Sequence, residues 1–406
     1  MIDHRKIGRE LELFCSDPLI GSGLPIWLPA GAAARHAIES YVREVERLAG
    51  YQHVNSPPMA KKAMYERSGH LPHFADDMFP PMALSEDDEL ILRPSLCPHH
   101  AVVFASRGRS YRELPVRIAE IGGMYRAERS GVLGGLSRVR AISLNDAHNF
   151  CAPDDVGPEV ADVLAMISGA HAAMGIQAAA YRLSLRGEGS DKYVGSPEAW
   201  QRAEAILRDV LVSSGLDFEE VPGEAAFYGP KIDVQIKDPA GRESTLSTVQ
   251  VDFHQPERFD LSYVDAGGVR RRPVMVHRSI VGGFERLFAH LIEVHEGAFP
   301  VWYAPVQMLA LPVGEAQADA AVAFARHCVA AGVRAEPLLE GSLSSRVRQA
   351  AARKVPYAAV IGEREAGVGE VSLRLRDGRE LPPRPVADAV ALVRSVADSR
   401  SLSLVP

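Results

Sequence analysis

Three side chains with metal-binding chemistry stand out in the sequence: Cys97, His148 and His277. They lie far apart along the chain, whereas zinc-finger signatures bring their ligands in close sequence pairs. Spacing alone therefore favours a buried thiol and two hydrogen-bonded histidines over a shared zinc site. A second group is cationic. Arg126 and Glu128 precede a glycine-rich loop, 130–135, that leads into Arg138 and Arg140, and Arg286 follows a second loop at Gly282-Gly283. Arginine beside glycine-rich backbone suits bidentate binding of phosphate, although most arginines in such surroundings form surface ion pairs. Neither loop matches GxxxxGK[ST] or GxGxxG, so P-loop and dinucleotide-fold readings are unsupported.

These groups need an enzyme-sized scaffold. The chain has 406 residues, which at about 150 residues per domain implies two or three domains. A composition of 47% hydrophobic and 24% charged residues excludes a disordered chain, and no apolar run approaches membrane-spanning length. The charged N-terminus lacks the apolar stretch of a secretory signal. Four cysteines, Cys15, Cys97, Cys151 and Cys328, are too scattered for a disulfide framework, and Cys15, Cys151 and Cys328 read as cytosolic thiols. Charge divides unevenly. After Pro305 there are 13 Lys and Arg against 11 Asp and Glu, a net of +2, which leaves 32 against 41 and a net of −9 before it. An overall charge of −7 therefore does not exclude an RNA partner.

The first 305 residues hold a turn cluster at 21–25, a short apolar stretch at 26–28 and a helix expected over 31–48 with Gly50 as its stop. Period-two alternation predicts strands at 138–143 and 231–236, and helices are expected over 154–175 and 197–215. After Pro305 the pattern becomes strand 308–311, helix 315–332, strand 334–339, helix 344–354, strand 357–362 and a hairpin turning at Gly378. Such alternation reads as a small α/β domain.

Taken together, the ordered segments resemble threonyl-tRNA synthetases, a family of class II aminoacyl-tRNA synthetases, over essentially the whole chain. The resemblance rests on Asp3-His4-Arg5-Lys6, Gly23-Leu24-Pro25-Ile26-Trp27-Leu28-Pro29, Arg67-Ser68-Gly69-His70 and Arg93-Pro94-Ser95-Leu96-Cys97-Pro98. It continues through Tyr125-Arg126-Ala127-Glu128, Asn145-Asp146-Ala147-His148, Ala226-Phe227-Tyr228-Gly229-Pro230-Lys231, Thr248-Val249-Gln250-Val251-Asp252-Phe253 and Pro256-Glu257-Arg258-Phe259, and ends in the stretch from Val276-His277-Arg278 to Arg286.

The resemblance implies an α+β fold: a class II antiparallel β-sheet core flanked by helices over 1–305, then a small α/β anticodon-binding domain over 306–406. It implies one zinc ion per subunit on Cys97, His148 and His277, with a coordination position left open, as in catalytic zinc sites, for threonine's amino and hydroxyl groups. Asp146 then accepts from that hydroxyl, and Tyr228, Lys231 and Gln250 line the amino-acid end. By the same comparison Arg126 binds the α-phosphate of ATP and Arg286 the nucleotide, Glu128 takes the adenine side and Arg138 the γ-phosphate, with magnesium accompanying ATP. The implied reaction forms threonyl-adenylate and passes the acyl group to threonine tRNA, with arginine and magnesium positioning and neutralising the phosphates. A cytoplasmic homodimer with no membrane association is expected. In the C-terminal domain Arg346, Arg348, Arg353 and Lys354 are the expected RNA contacts.

Departures from the family pattern are Leu96, His99, Leu144, Asn145, Ser244 and Thr245, grouped near the expected pocket. The chain begins at the core, without the family's N-terminal and editing domains and without a His-x-x-x-His pair, so serine is expected to escape clearance in cis. The alternatives are a paralogue that activates threonine, serine or a related hydroxy amino acid for a carrier protein or other acceptor, an inhibitor-insensitive duplicate, and a non-catalytic RNA-binding regulator. Retention of Arg126, Glu128, Arg286 and the three metal positions disfavours the last.

Overall fold

The helix expected over 31–48 runs Pro29–Leu48 in the computed structural model, which describes residues 2–86, 88–188 and 192–406. Its proline stands in the first turn, where an amide donor is not needed. Its buried stripe is Ala34, Ile38, Val42 and Glu46, four apart and so on one helical face. A carboxylate ends an otherwise apolar stripe.

Among the described residues, eight strands form the main sheet in the order Phe218–Pro222, Ala180–Leu185, Lys231–Lys237, Glu243–Asp252, Val274–Ser279, Ala141–Cys151, Val116–Tyr125, Gln52–His53. The two edge pairings are parallel and the five between them antiparallel. Helices Val156–Met174 and Phe284–Val294 pack on this sheet through Val160, Val163, Ile167, Phe284, Leu287, Phe288 and Leu291, which share one core with Val249, Val251 and Val276. Each such fully buried side chain contributes about 1.5–3 kcal/mol of transfer free energy.

The strand expected at 138–143 is displaced to Ala141–Cys151. Arg138 instead bridges Gly134 and closes a tight loop, so the alternation at 138–140 belongs to a turn. The strand continues to Cys151 through pairing with both its neighbours, and its Asn145, Asp146, His148 and Asn149 are buried polar residues on both faces, which hides it from a hydrophobic-alternation test. The expected helices 154–175 and 197–215 run Val156–Met174 and Pro197–Ser213, and the strand 231–236 runs Lys231–Lys237.

Beyond residue 305 a second sheet of five strands has the order Ala335–Pro337, Met308–Pro312, Tyr357–Ile361, Glu370–Leu375, Glu380–Pro385, counted among the described residues. The expected helices appear as Ala318–Ala330 and Leu343–Ala352, joined by Glu363–Val368 and a final helix Val386–Asp398 that the sequence reading lacked. This sheet has its own core around Met308, Phe324, Tyr357, Leu373 and Val393. Among the described residues no helix is long and apolar enough to cross a membrane.

Candidate active site

Strand register brings the candidate residues into one line. Antiparallel pairing sets His148 opposite His277, His277 opposite Gln250, and Gln250 opposite Lys231. Cross-strand partners share a face, so four residues from separate segments form a row across four strands. Period-two alternation adds Asp146 beside His148 and Thr248 and Asp252 beside Gln250. Cys97 reaches the row from the first turn of helix Cys97–Ala105.

Ligand atoms of Cys97, His148 and His277 all lie within 4.8 Å of one another, and all three residues are buried. His148 Nε2 and His277 Nδ1 are 3.0 Å apart. The far nitrogens are engaged elsewhere: His148 Nδ1 with His100 Nδ1 at 2.7 Å, and His277 Nε2 with Asp252 Oδ2 at 2.8 Å. Each imidazole thus keeps one nitrogen for the shared centre, the arrangement that outer-shell partners impose on metal-binding histidines. His100 is itself held by Glu120 at 3.2 Å, and Glu120 by Arg93 at 3.0 Å and by the Ser56 hydroxyl at 2.6 Å. One thiol and two imidazoles form a donor set suited to zinc. Burial pushes the Cys97 thiol up and holds His148 well below its ordinary value; a divalent cation would reverse the first of these effects.

Tyr228 stacks on His277 with ring centroids 4.9 Å apart and donates to Gln250 Oε1 at 2.5 Å. Lys231 is paired with Asp233 at 2.5 Å. Burial raises the Asp146 carboxyl to about 6, against the opposing pull of His100, His277 and Arg278. Asp146 Oδ2 lies 3.9 Å from His148 Nε2.

At the other end the arginines converge. Arg126 rests over the Phe74 ring at 5.3 Å, Arg138 pairs with Glu128 at 2.8 Å, and Arg286 donates to the carbonyls of Thr245 and Ser137 at 2.9 and 3.3 Å. Burial, then the charges of Arg126 and Arg138, lowers the pKa of Arg286. Guanidinium groups that repel one another in a partly buried site are stabilised by an anion, and phosphate matches their fork.

All eleven residues expected at the site line one cavity of about 350 Å³, the metal cluster with Asp146, Tyr228, Lys231 and Gln250 together with Arg126, Glu128, Arg138 and Arg286. The volume is ordinary for a small-molecule site. Leu144 and Thr245 also line it, whereas Ser244 borders a neighbouring cavity of about 260 Å³. Leu96 and His99 are buried in and before the first turn of the Cys97 helix, and Asn145 alternates to the opposite face of its strand. The departures therefore do not form one patch.

Arg346 requires a correction. It is buried and donates to the carbonyls of Pro312 and Leu339, so it ties its helix to the sheet and cannot reach RNA. Arg353 is exposed and pairs with Glu336 at 2.7 Å. Sequence reasoning missed His70, His100 and Asp252. His70 hydrogen-bonds Ser95 and Ser68 at 2.8 Å each and lies 3.9 Å from Cys97 Sγ, with burial lowering its pKa to about 3. Asp252 carried a readable signal, because Thr248, Gln250 and Asp252 alternate with Val249 and Val251.

Comparison with known proteins agrees with this fold. Residues 82–295 match the class II tRNA synthetase core domain (G, H, P, S and T), and residues 307–395 match an anticodon binding domain. The chain is 46% identical over 375 residues to threonine--tRNA ligase of Staphylococcus carnosus (strain TM300), covering 92% of this chain and 58% of that protein. To the Oceanobacillus iheyensis threonine--tRNA ligase it is 42% identical over 403 residues, 98% of this chain and 62% of that one. It therefore spans roughly three fifths of the length of these curated relatives. Among solved structures it is similar to the RNA binding domain of threonyl-tRNA synthetase from Cryptosporidium parvum Iowa II, with TM-score 0.92, 32% identity and coverage of 97% of this chain and 98% of that one. It is also similar to the putative threonyl-tRNA synthetase ThrRS-1 of Aeropyrum pernix, with TM-score 0.85, 27% identity and coverage of 98% and 95%.

Proposed function

We propose that this chain, which belongs to the threonyl-tRNA synthetase family of class II aminoacyl-tRNA synthetases, activates threonine with ATP and transfers it to threonine tRNA. The observation that carries this reading is a single cavity with a thiol–imidazole cluster at one end and three arginines at the other. Cys97, His148 and His277 would hold zinc, which would supply there a Lewis acid for the amino and hydroxyl groups of the amino acid. Asp146 accepts the hydroxyl proton in a hydrogen bond. Tyr228 and Gln250, already bonded to each other, hold the amino-acid end in place, with Lys231 beside them.

Arg126 and Arg286 orient the nucleotide so that the amino acid's carboxylate meets the α-phosphorus, and they neutralise the charge that develops there. Arg138 takes the γ-phosphate and Glu128 the adenine side, with Mg2+ accompanying ATP. The bond from carboxylate oxygen to phosphorus forms as the bond to the pyrophosphate oxygen breaks, leaving the adenylate and pyrophosphate. Positioning and fixed charge perform this step, and no enzyme nucleophile is needed. Residues 1–305 act as the catalytic domain and 306–406 as the anticodon-binding domain, in a cytoplasmic homodimer. Within the second domain Arg348, Arg353 and Lys354 remain the candidate RNA contacts once Arg346 is set aside.

The test is amino-acid-dependent pyrophosphate exchange with each of the twenty amino acids and 3-hydroxy analogues, followed by aminoacylation of a threonine tRNA transcript. Threonine-dependent exchange with charging of the transcript is the expected result. Exchange without charging would point to a carrier protein or another acceptor, a reading that Leu144 and Thr245 in the cavity wall keep in view. No exchange with any amino acid would defeat the enzymatic reading.

A further inference from the structure

On the face of the sheet opposite the row of donors lies a buried ionic cluster that the reaction as described does not use. Strand alternation turns Asn145 and Ala147 away from the face that carries Asp146 and His148, and Arg278, paired with Ala147 in register, points the same way. Glu46, fully buried on helix Pro29–Leu48, meets them there. Its Oε1 accepts from Asn145 Nδ2 at 2.7 Å and from Arg278 Nη1 at 2.7 Å, and its Oε2 lies 2.7 Å from His53 Nε2. The Arg278 guanidinium stands 4.2 Å over the Tyr51 ring. Asn145 is anchored further, since its Oδ1 accepts from the Ile280 amide at 3.0 Å and its carbonyl from the Ser279 hydroxyl at 2.5 Å.

The two residues that Glu46 grips are covalent neighbours of pocket residues, Asn145 of Asp146 and Arg278, itself part of the cavity lining, of His277. One carboxylate therefore ties the strands Ala141–Cys151 and Val274–Ser279 together directly across the sheet from the place where their side chains must converge. Burial alone would push the Glu46 carboxyl up, but Arg278 and the hydrogen bonds from His53 and Asn145 hold it below its ordinary value, so it is an anion. Among the described residues Glu46 is the one carboxylate at ion-pair distance from Arg278. Removing it leaves a buried cation without compensation, which is strongly destabilising.

We propose that Glu46 is a positioning residue for the amino-acid pocket, neutralising Arg278 and clamping Asn145 so that Asp146, His148 and His277 hold their places. The effect on threonine rests on the function proposed above, whereas the clamp itself does not. The test exchanges the two groups across the contact. Glu46→Gln removes the carboxylate, Asn145→Asp crowds a second one beside Glu46, and the double variant restores one amide and one carboxylate at the same contact with the net charge of the parent. By analogy with outer-shell partners at metal sites, Glu46→Gln raises the KM for threonine in pyrophosphate exchange by about 10- to 100-fold, with the KM for ATP unchanged, and weakens zinc retention against a chelator to a similar degree.

Asn145→Asp alone is impaired, and the double variant recovers most of both losses, the non-additivity expected of two groups in direct contact; the threonine-specific KM change, with the KM for ATP unmoved, is what a merely structural pair would not show. Zinc retention and thermal midpoint are read without substrate, so the clamp is tested even if the parent protein activates no threonine, a result that would instead sink the proposed function. Parent-like threonine KM and zinc retention in Glu46→Gln, or a double variant no better than the worse single one, overturns the proposal. If Glu46→Gln alone is insoluble, a folded double variant that retains zinc supports it and an insoluble one overturns it.

Discussion

His148 and His277 face each other across adjacent antiparallel strands with ring nitrogens 3.0 Å apart, each ring anchored behind, one by His100 and the other by Asp252. Both anchors belong to the rigid core, His100 on the Cys97 helix and Asp252 at the end of strand Glu243–Asp252. Neither imidazole can swing out of the pair without breaking a buried hydrogen bond. Preorganisation of this kind keeps a metal site formed before its ligand arrives.

Replacing Cys97 by Ser should therefore empty the site while leaving the sheet intact. The protein as purified is expected to hold about one zinc per chain, as a three-ligand site with an open position does. Cys97→Ser should hold almost none and lose threonine-dependent exchange, with its circular dichroism unchanged. Elemental analysis of both proteins decides the matter; full zinc in the Ser variant would remove Cys97 from the site.

In the proposed reaction Arg126 acts through its fork as well as its charge. It is held over Phe74 in a cavity that it shares with Arg138 and Arg286, and lysine cannot reproduce a planar bidentate contact. Arg126→Lys should lower kcat/KM in exchange by about 10²- to 10³-fold, the range seen when one preorganised donor to a developing anion is removed. The melting temperature should stay close to that of the parent.

Selectivity among amino acids should be uneven. Valine lacks the hydroxyl that Asp146 and the metal cluster are proposed to engage, and a site built for a hydroxyl rejects its absence by about 10⁴-fold. Serine keeps the hydroxyl and lacks only a methyl, which is worth about 10- to 200-fold. Steady-state exchange with the three amino acids measures both ratios. This chain carries no His-x-x-x-His pair, and preformed Ser-tRNA mixed with it should persist at the uncatalysed rate. Rapid deacylation would show a hydrolytic site elsewhere in the chain.

Gly229 separates Tyr228 from the strand that starts at Lys231, and a Cβ there would lie 1.9 Å from the Val251 carbonyl oxygen. That atom is backbone in the strand that carries Gln250, so it cannot move aside without shifting the row. Gly229→Ala should destabilise the protein by about 1–3 kcal/mol through overpacking and raise the KM for threonine more than that for ATP. Denaturant unfolding and exchange kinetics give the two readouts.

Much of the scaffold was legible in the sequence. Helix Pro29–Leu48 follows from its apolar spacing, Lys231–Lys237 from period-two alternation, and the elements after Pro305, apart from helices Glu363–Val368 and Val386–Asp398, from alternating strand and helix signals. Strand Ala141–Cys151 was misplaced because both its faces bury polar residues, and a hydrophobicity pattern does not register a strand whose buried side chains are Asn on one face and Asp and His on the other. Arg346 was misread for the complementary reason: a charged residue on an amphipathic helix reads as solvated, whereas here its guanidinium caps carbonyls inside the fold.

The sequence by itself determined which chemical groups were present, through ordered segments dense enough to mark the family, and local periodicity determined most of the helices and strands. Only the tertiary structure decided that Cys97, His148 and His277 meet and that Glu46 closes on Arg278 and Asn145 behind them. Those meetings depend on strand register and on which helix covers which face. Register joins residues more than a hundred positions apart and is set by the packing of the whole sheet, so no local pattern carries it.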